Sequence, residues 1–112
     1  MKKSYLVVTA EIIREEALRY AKAGDTSAAW RIESALSALT NYCYHSKYDG
    51  KVSNEEFDAV KSIYFDCSDA IEEAWRDSED CARLKKWLAD PANRNDINYS
   101  DIYKDVYGHR PR

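Results

Sequence analysis

The stretch Asp49-Gly50-Lys51-Val52-Ser53-Asn54-Glu55-Glu56-Phe57 decides the fold. It reads as one helix ending and another starting within a few residues. Gly50 suits a helix C-terminus because it reaches positive φ without a Cβ clash. Ser53 and Glu56 have capping-box spacing. The hydroxyl accepts from the backbone N–H three residues on, and the carboxylate reaches back to the first N–H. Apolar residues recur at helical spacing on both sides. The stretch therefore predicts a helical hairpin. The chain as a whole reads as all-α, a compact bundle of four to five helices built on that long antiparallel hairpin.

Size and composition agree. The chain has 112 residues, of which 45% are hydrophobic, enough for one packed domain, read as residues 1–108 followed by a basic tail at 109–112. Three glycines and two prolines are too few for the turns of a sandwich or barrel. The net charge of -3 argues against general affinity for nucleic acid or for an anionic membrane.

Upstream of the corner, a first helix is expected over Tyr5 to Ala23, with Leu6, Ala10, Ile13, Ala17 and Tyr20 on one face. The rival reading makes Tyr5–Thr9 a strand on its β-branched Val7-Val8-Thr9, but no other segment looks like its partner. Gly24 stops the helix, and Asp25-Thr26-Ser27 supplies capping side chains for a second one, about Ala28 to Ser46. Its stripe is Ala29, Ile32, Leu36, Leu39 and Cys43. Ala28 and Ala35 lie beside it, small enough to let a neighbour approach closely.

Downstream, Phe57, Val60, Tyr64, Cys67, Ile71 and Ala74 repeat at alternating spacings of three and four. That seam suits long, nearly antiparallel packing on helix two. Helix three then either runs through Asp77-Ser78 or breaks there with Ser78 as a new N-cap. Cys81, Leu84 and Leu88, with Trp87 alongside, continue an apolar face to about Ala89, and Pro91 prevents easy continuation. Asp90 to Asn98 reads as a polar loop. Ser100 is expected to cap a short last helix that ends at Gly108, before the mobile basic tail His109-Arg110-Pro111-Arg112.

Cys43, Cys67 and Cys81 form no Cys-x-x-Cys and sit at or near apolar helical positions, as buried reduced thiols in a cytoplasmic protein would. The opening Met1-Lys2-Lys3-Ser4-Tyr5-Leu6-Val7-Val8 mimics a signal peptide briefly. Its apolar run ends at Thr9, too short for a secretion signal or a membrane span.

Charge is polarised along the chain. Residues 51 to 80 hold ten carboxylates against Lys51, Lys61 and Arg76, so the rest of the chain is net positive. Within that segment Asp66, Asp69, Glu73, Asp77 and Asp80 lie three or four apart. On a continuous helix they would form one stripe on the side away from the apolar seam. Like charges at such spacing repel by a few tenths of a kcal/mol per pair. The stripe is therefore either a solvated face or a docking surface for a basic partner.

Aromatic residues are in excess: nine Tyr, three Trp and two Phe. Phe65 falls near Asp58 and Glu72 on the helical wheel, away from the seam. Trp30 is off the stripe of helix two. Tyr42, Tyr44 and Tyr48 crowd one helix end, and Tyr99, Tyr103 and Tyr107 line the last helix. Such side chains are enriched at protein interfaces. Their adjoining charge is acidic, which counts against base stacking.

No catalytic or metal motif emerges. His45 and His109 have no triad spacing, and there is no phosphate loop, zinc pattern or di-iron signature. Asp49, Gly50, Val52, Ser53, Glu56 and Phe57 match the second half of a calcium loop. Its first ligand positions would be His45 and Lys47, where a hard cation needs carboxylates.

The expectation is a non-enzymatic, cytoplasmic inhibitor or regulator without cofactor or metal. It would dock on a protein partner with a basic surface, such as a nucleic-acid-binding one, through Asp66, Asp69, Glu73, Asp77, Asp80, Phe65, Tyr99, Tyr103 and Tyr107. No direct nucleic-acid or membrane contact is expected. In general character such a chain is similar to phage-encoded inhibitors of host defence, including anti-CRISPR proteins that block nucleic-acid-binding channels. The likeness rests on no residue motif and assigns no residues. The alternatives are a structural protein that forms homodimers through its aromatic surfaces and, behind it, a degenerate EF-hand-like calcium binder.

Overall fold

The structure, a computed structural model, describes residues 4–111. The first three residues of the signal-like opening, and the last of the basic tail, lie outside the described residues. Among the described residues, five α-helices follow one another: α1 (Tyr5–Lys22), α2 (Thr26–Tyr48), α3 (Asn54–Arg76), α4 (Glu79–Ala89) and α5 (Tyr99–Tyr107). A single 3-10 turn, Pro91–Asn93, interrupts the loop before α5. Among the described residues there is no strand, so the fold is all-α. Tyr5–Thr9 is helical, and the strand alternative fails for want of a partner.

The chain divides between Glu72 and Glu73 into two compact units, so the final turn of α3 belongs with the second. In the first unit α1 packs closely on α2. The close approach uses Ala10, Ala17 and Ala21 of α1 and Ala29 of α2, all buried. Ala35, expected to serve this role, is exposed, and Ala28 is half-buried. On α1 the buried face turns to Ala21, and Tyr20 stays 37% exposed, with the Arg19 guanidinium carbon 5.7 Å from its ring centroid.

The corner between α2 and α3 forms as the residues dictate. Gly50 has φ 73°. Ser53 Oγ accepts from the Glu56 N–H at 3.1 Å, and Glu56 Oε1 accepts from the Ser53 N–H at 3.1 Å. Tyr44 of α2 meets Phe57 of α3 with ring centroids 5.8 Å apart. On α3 the buried residues are Phe57, Val60, Ile63, Cys67 and Ile71. Ile63 takes the central position expected of Tyr64, which is half-buried. A straight helix repeats every 3.6 residues, so its buried stripe drifts off a strict seven-residue seam.

In the second unit Cys81, Leu88 and Val106 form a small core, with Trp75, Leu84, Trp87, Tyr99, Ile102 and Tyr103 packed on it. Ser78 caps α4, accepting from the Cys81 N–H at 3.2 Å. The capping of α5 departs from expectation. The helix begins at Tyr99 after Asn98, which makes no side-chain cap bond. Ser100 lies inside the helix and accepts from Arg110 Nη1 at 2.9 Å. The same guanidinium is 3.1 Å from Asp101 Oδ1, so the basic tail folds back on α5 as far as Arg110.

Candidate functional site

Helix α3 stops at Arg76, Asp77 lies in a turn, and α4 starts at Glu79. The five carboxylates therefore do not share one helical face: of the two readings of Asp77-Ser78, the break with Ser78 as N-cap is the one observed. Ser78 breaks the stripe, because its hydroxyl is more valuable as an N-cap than inside a helix. Asp66, Asp69 and Glu73 remain one turn apart on α3. Asp80 sits in the first turn of α4, where a carboxylate complements the helix dipole.

All five side chains are exposed. Asp80 lies 3.8 Å from Arg83, a loose pair with both partners about four-fifths exposed (79% and 81%). Among the described residues, no ion pair ties down Asp66, Asp69, Glu73 or Asp77. Phe65, next to Asp66 and one turn before Asp69 on α3, has 53% of its surface exposed and its ring edge-on to Tyr64 at 5.5 Å. An exposed phenyl ring flanked by unpaired carboxylates is the most conspicuous feature of the first unit.

The tyrosines of α5 divide differently. Tyr99 and Tyr103 are half-buried against the small core, and Tyr107 is 43% exposed. Trp87, Tyr99, Tyr103 and Tyr107 follow one another at centroid separations of 6.3, 6.1 and 4.6 Å, with His109 against Tyr103 at 5.7 Å. Two of the three tyrosines expected at the surface thus serve packing first.

Trp87 also lines an open groove of about 710 Å³, together with Trp75, Leu84 and Ile102. Asp80, Arg83, Asp96 and Asn98 complete its walls. Asp96 Oδ1 accepts from the Asn98 N–H at 2.8 Å, which fixes that carboxylate in the loop. Besides Arg83 of α4, Trp75, Asp96 and Asn98 are the groove residues that the sequence did not point to. They come from a helix end and a loop, and no spacing rule joins those to α4.

Other aromatic residues gather at the corner of the first unit. The Lys47 ammonium lies 4.5 Å from the Phe57 ring centroid and 5.4 Å from those of Tyr44 and Tyr48. This cluster is occupied by the chain's own cation. The calcium-loop half-match is explained by caps. Both Glu56 oxygens are engaged, Oε1 by Ser53 N–H and Oε2 by the Ser4 hydroxyl at 2.6 Å. Those bonds hold the Glu56 carboxyl below its ordinary value, the Ser4 hydroxyl contributing most.

The sequence stripe of α2 missed Glu33, which is buried with 8% of its surface exposed. Burial pushes its carboxyl above the ordinary range. Burial, reinforced by the Glu33 charge and opposed by Arg14, pushes the Cys67 thiol up to about 11. All three cysteines are buried and free of disulfides. Among the described residues, no cluster of three or more His, Cys, Asp or Glu side chains is arranged to hold a metal. No helix there is long and apolar enough to cross a membrane.

The fold is all-α, and Phe65 and Tyr107 are among its exposed aromatic side chains. No family model, no curated protein and no solved structure matches the chain.

Proposed function

We propose that this protein is a non-enzymatic inhibitor or regulator that docks on a basic surface of another protein. The carrying observation is Phe65, exposed on α3 beside the unpaired Asp66 and Asp69. An exposed aromatic anchor ringed by charge has the composition of an interface hot spot and its steering rim. A partner's nucleic-acid-binding groove is such a surface, the target that an anti-CRISPR-like, phage-encoded inhibitor would occupy in the cytoplasm. Buried, unpaired thiols support a reducing compartment.

Affinity capture from host extract, followed by mass spectrometry, identifies the partner. The variants Phe65→Ser and Asp66→Lys/Asp69→Lys then lose that capture while the helical circular dichroism stays unchanged. Undiminished capture by both variants would overturn the proposal.

The self-association alternative has its own observation. Tyr5, Val8 and Ile12 fall on one face of α1 and are 83%, 40% and 60% exposed. A dimer through this face would appear in light scattering as twice the monomer mass and would dissociate in an Ile12→Lys variant.

A further inference from the structure

We propose that the groove of the second unit receives a lysine or arginine side chain from a partner segment, together with a neighbouring apolar residue. The inference rests on the reading that the partner is basic, and it names the chemistry of one contact. Trp75 and Trp87 line the groove with indole surface, which attracts cations more strongly than any other side-chain ring. Leu84 and Ile102 supply apolar wall for an aliphatic stem and its neighbour.

Charge complementarity sets the sign of the occupant. Two carboxylates, Asp80 and Asp96, line the groove against the one guanidinium of Arg83. Arg83 is 81% exposed and 3.8 Å from Asp80, free to swing aside for an incoming cation. Asp96 is held in place by the Asn98 N–H through Oδ1, leaving its second oxygen open to a ligand. A volume of about 710 Å³ is ample for two side chains and falls in the range of ligand sites.

The test is a ¹H–¹⁵N titration of the full chain with acetyl-Leu-Lys-Leu amide, read at the tryptophan indole N–H signals. Trp75 and Trp87 line the groove, whereas Trp30 lies on α2 and serves as internal control. The lysine peptide is expected to shift Trp75 and Trp87 at millimolar concentration and leave Trp30 in place. The same peptide with norleucine for lysine binds about fivefold more weakly, the ratio expected for an exposed cation on indole. An Asp80→Asn/Asp96→Asn variant, altered only at exposed positions, binds both peptides alike.

Equal binding of the two peptides by the unaltered protein would overturn the proposal. So would preference for a glutamate peptide, or no indole shift at millimolar probe. This titration does not involve Phe65, Asp66 or Asp69. If it fails while those variants still abolish partner capture, only the groove assignment falls. If it succeeds while capture ignores those variants, only the docking of α3 falls.

Discussion

The hydroxyl of Ser4 donates to Oε2 of Glu56 across 2.6 Å, joining two residues 52 positions apart in the chain. Each is already part of a helix cap. Ser4 Oγ accepts from the Leu6 N–H at 3.1 Å, and Glu56 Oε1 accepts from the Ser53 N–H. The starts of α1 and α3 therefore share one hydrogen-bonded chain. Ser4→Ala removes a cap and this link together. It is expected to cost about 1 kcal/mol, the usual loss for an N-cap serine, measured as a lowered urea midpoint with unchanged slope.

Acid should loosen the same link. The folded state holds Glu56 below its ordinary value of 4.5, so its contribution is present above that pH. The contribution is lost as pH falls through the lower, folded value. In Glu56→Gln the thermal midpoint should therefore be less sensitive to acidification below pH 4.5 than in the unaltered protein. An equal slope in both would contradict the assignment.

Glu33 should act with the opposite sign. Its carboxyl is raised above 4.5 by burial, so its favourable contribution is present below that pH and fades as pH rises through the raised value. Glu33→Gln is expected to raise the melting temperature at neutral pH and leave it nearly unchanged near pH 4. Calorimetry at the two pH values checks both halves.

The thiols should be silent in the native protein. Cys43, Cys67 and Cys81 are fully buried, and the Cys67 thiol is pushed up to about 11. A disulfide reagent at neutral pH is expected to label none of the three natively and all of them in denaturant. Rapid native labelling would mean that the helices open far more readily than their packing implies.

Core and surface changes should separate cleanly. Leu36 is fully buried, and Leu36→Ala is expected to cost about 2–5 kcal/mol. Phe65→Ser removes a comparably apolar side chain from an exposed position and should change stability by less than about 0.5 kcal/mol. Chemical denaturation of the two variants side by side checks the contrast.

Local signals were largely legible. Gly24, Gly50 and Gly108 punctuate helices as expected, and all three adopt positive φ. Ser53, Glu56, Asp25 and Ser78 cap the helices whose starts they mark. Each of these bonds spans three residues, so sequence proximity alone can specify it. Ser100 is the instructive failure. Its hydroxyl suits a cap, yet Arg110 claims it from ten residues away.

The amino-acid order by itself determined the all-α class, the helix limits to within a few residues, and the acidic bias of the middle segment. These depend on periodicity and on side chains acting over one helical turn. Tertiary structure alone decided that Glu33 is buried, that Ser4 reaches Glu56, and that Trp75, Asp96 and Ile102 share a groove with α4. Such relationships join side chains far apart in the chain. They are set by how whole helical faces pack, and no local spacing carries that information.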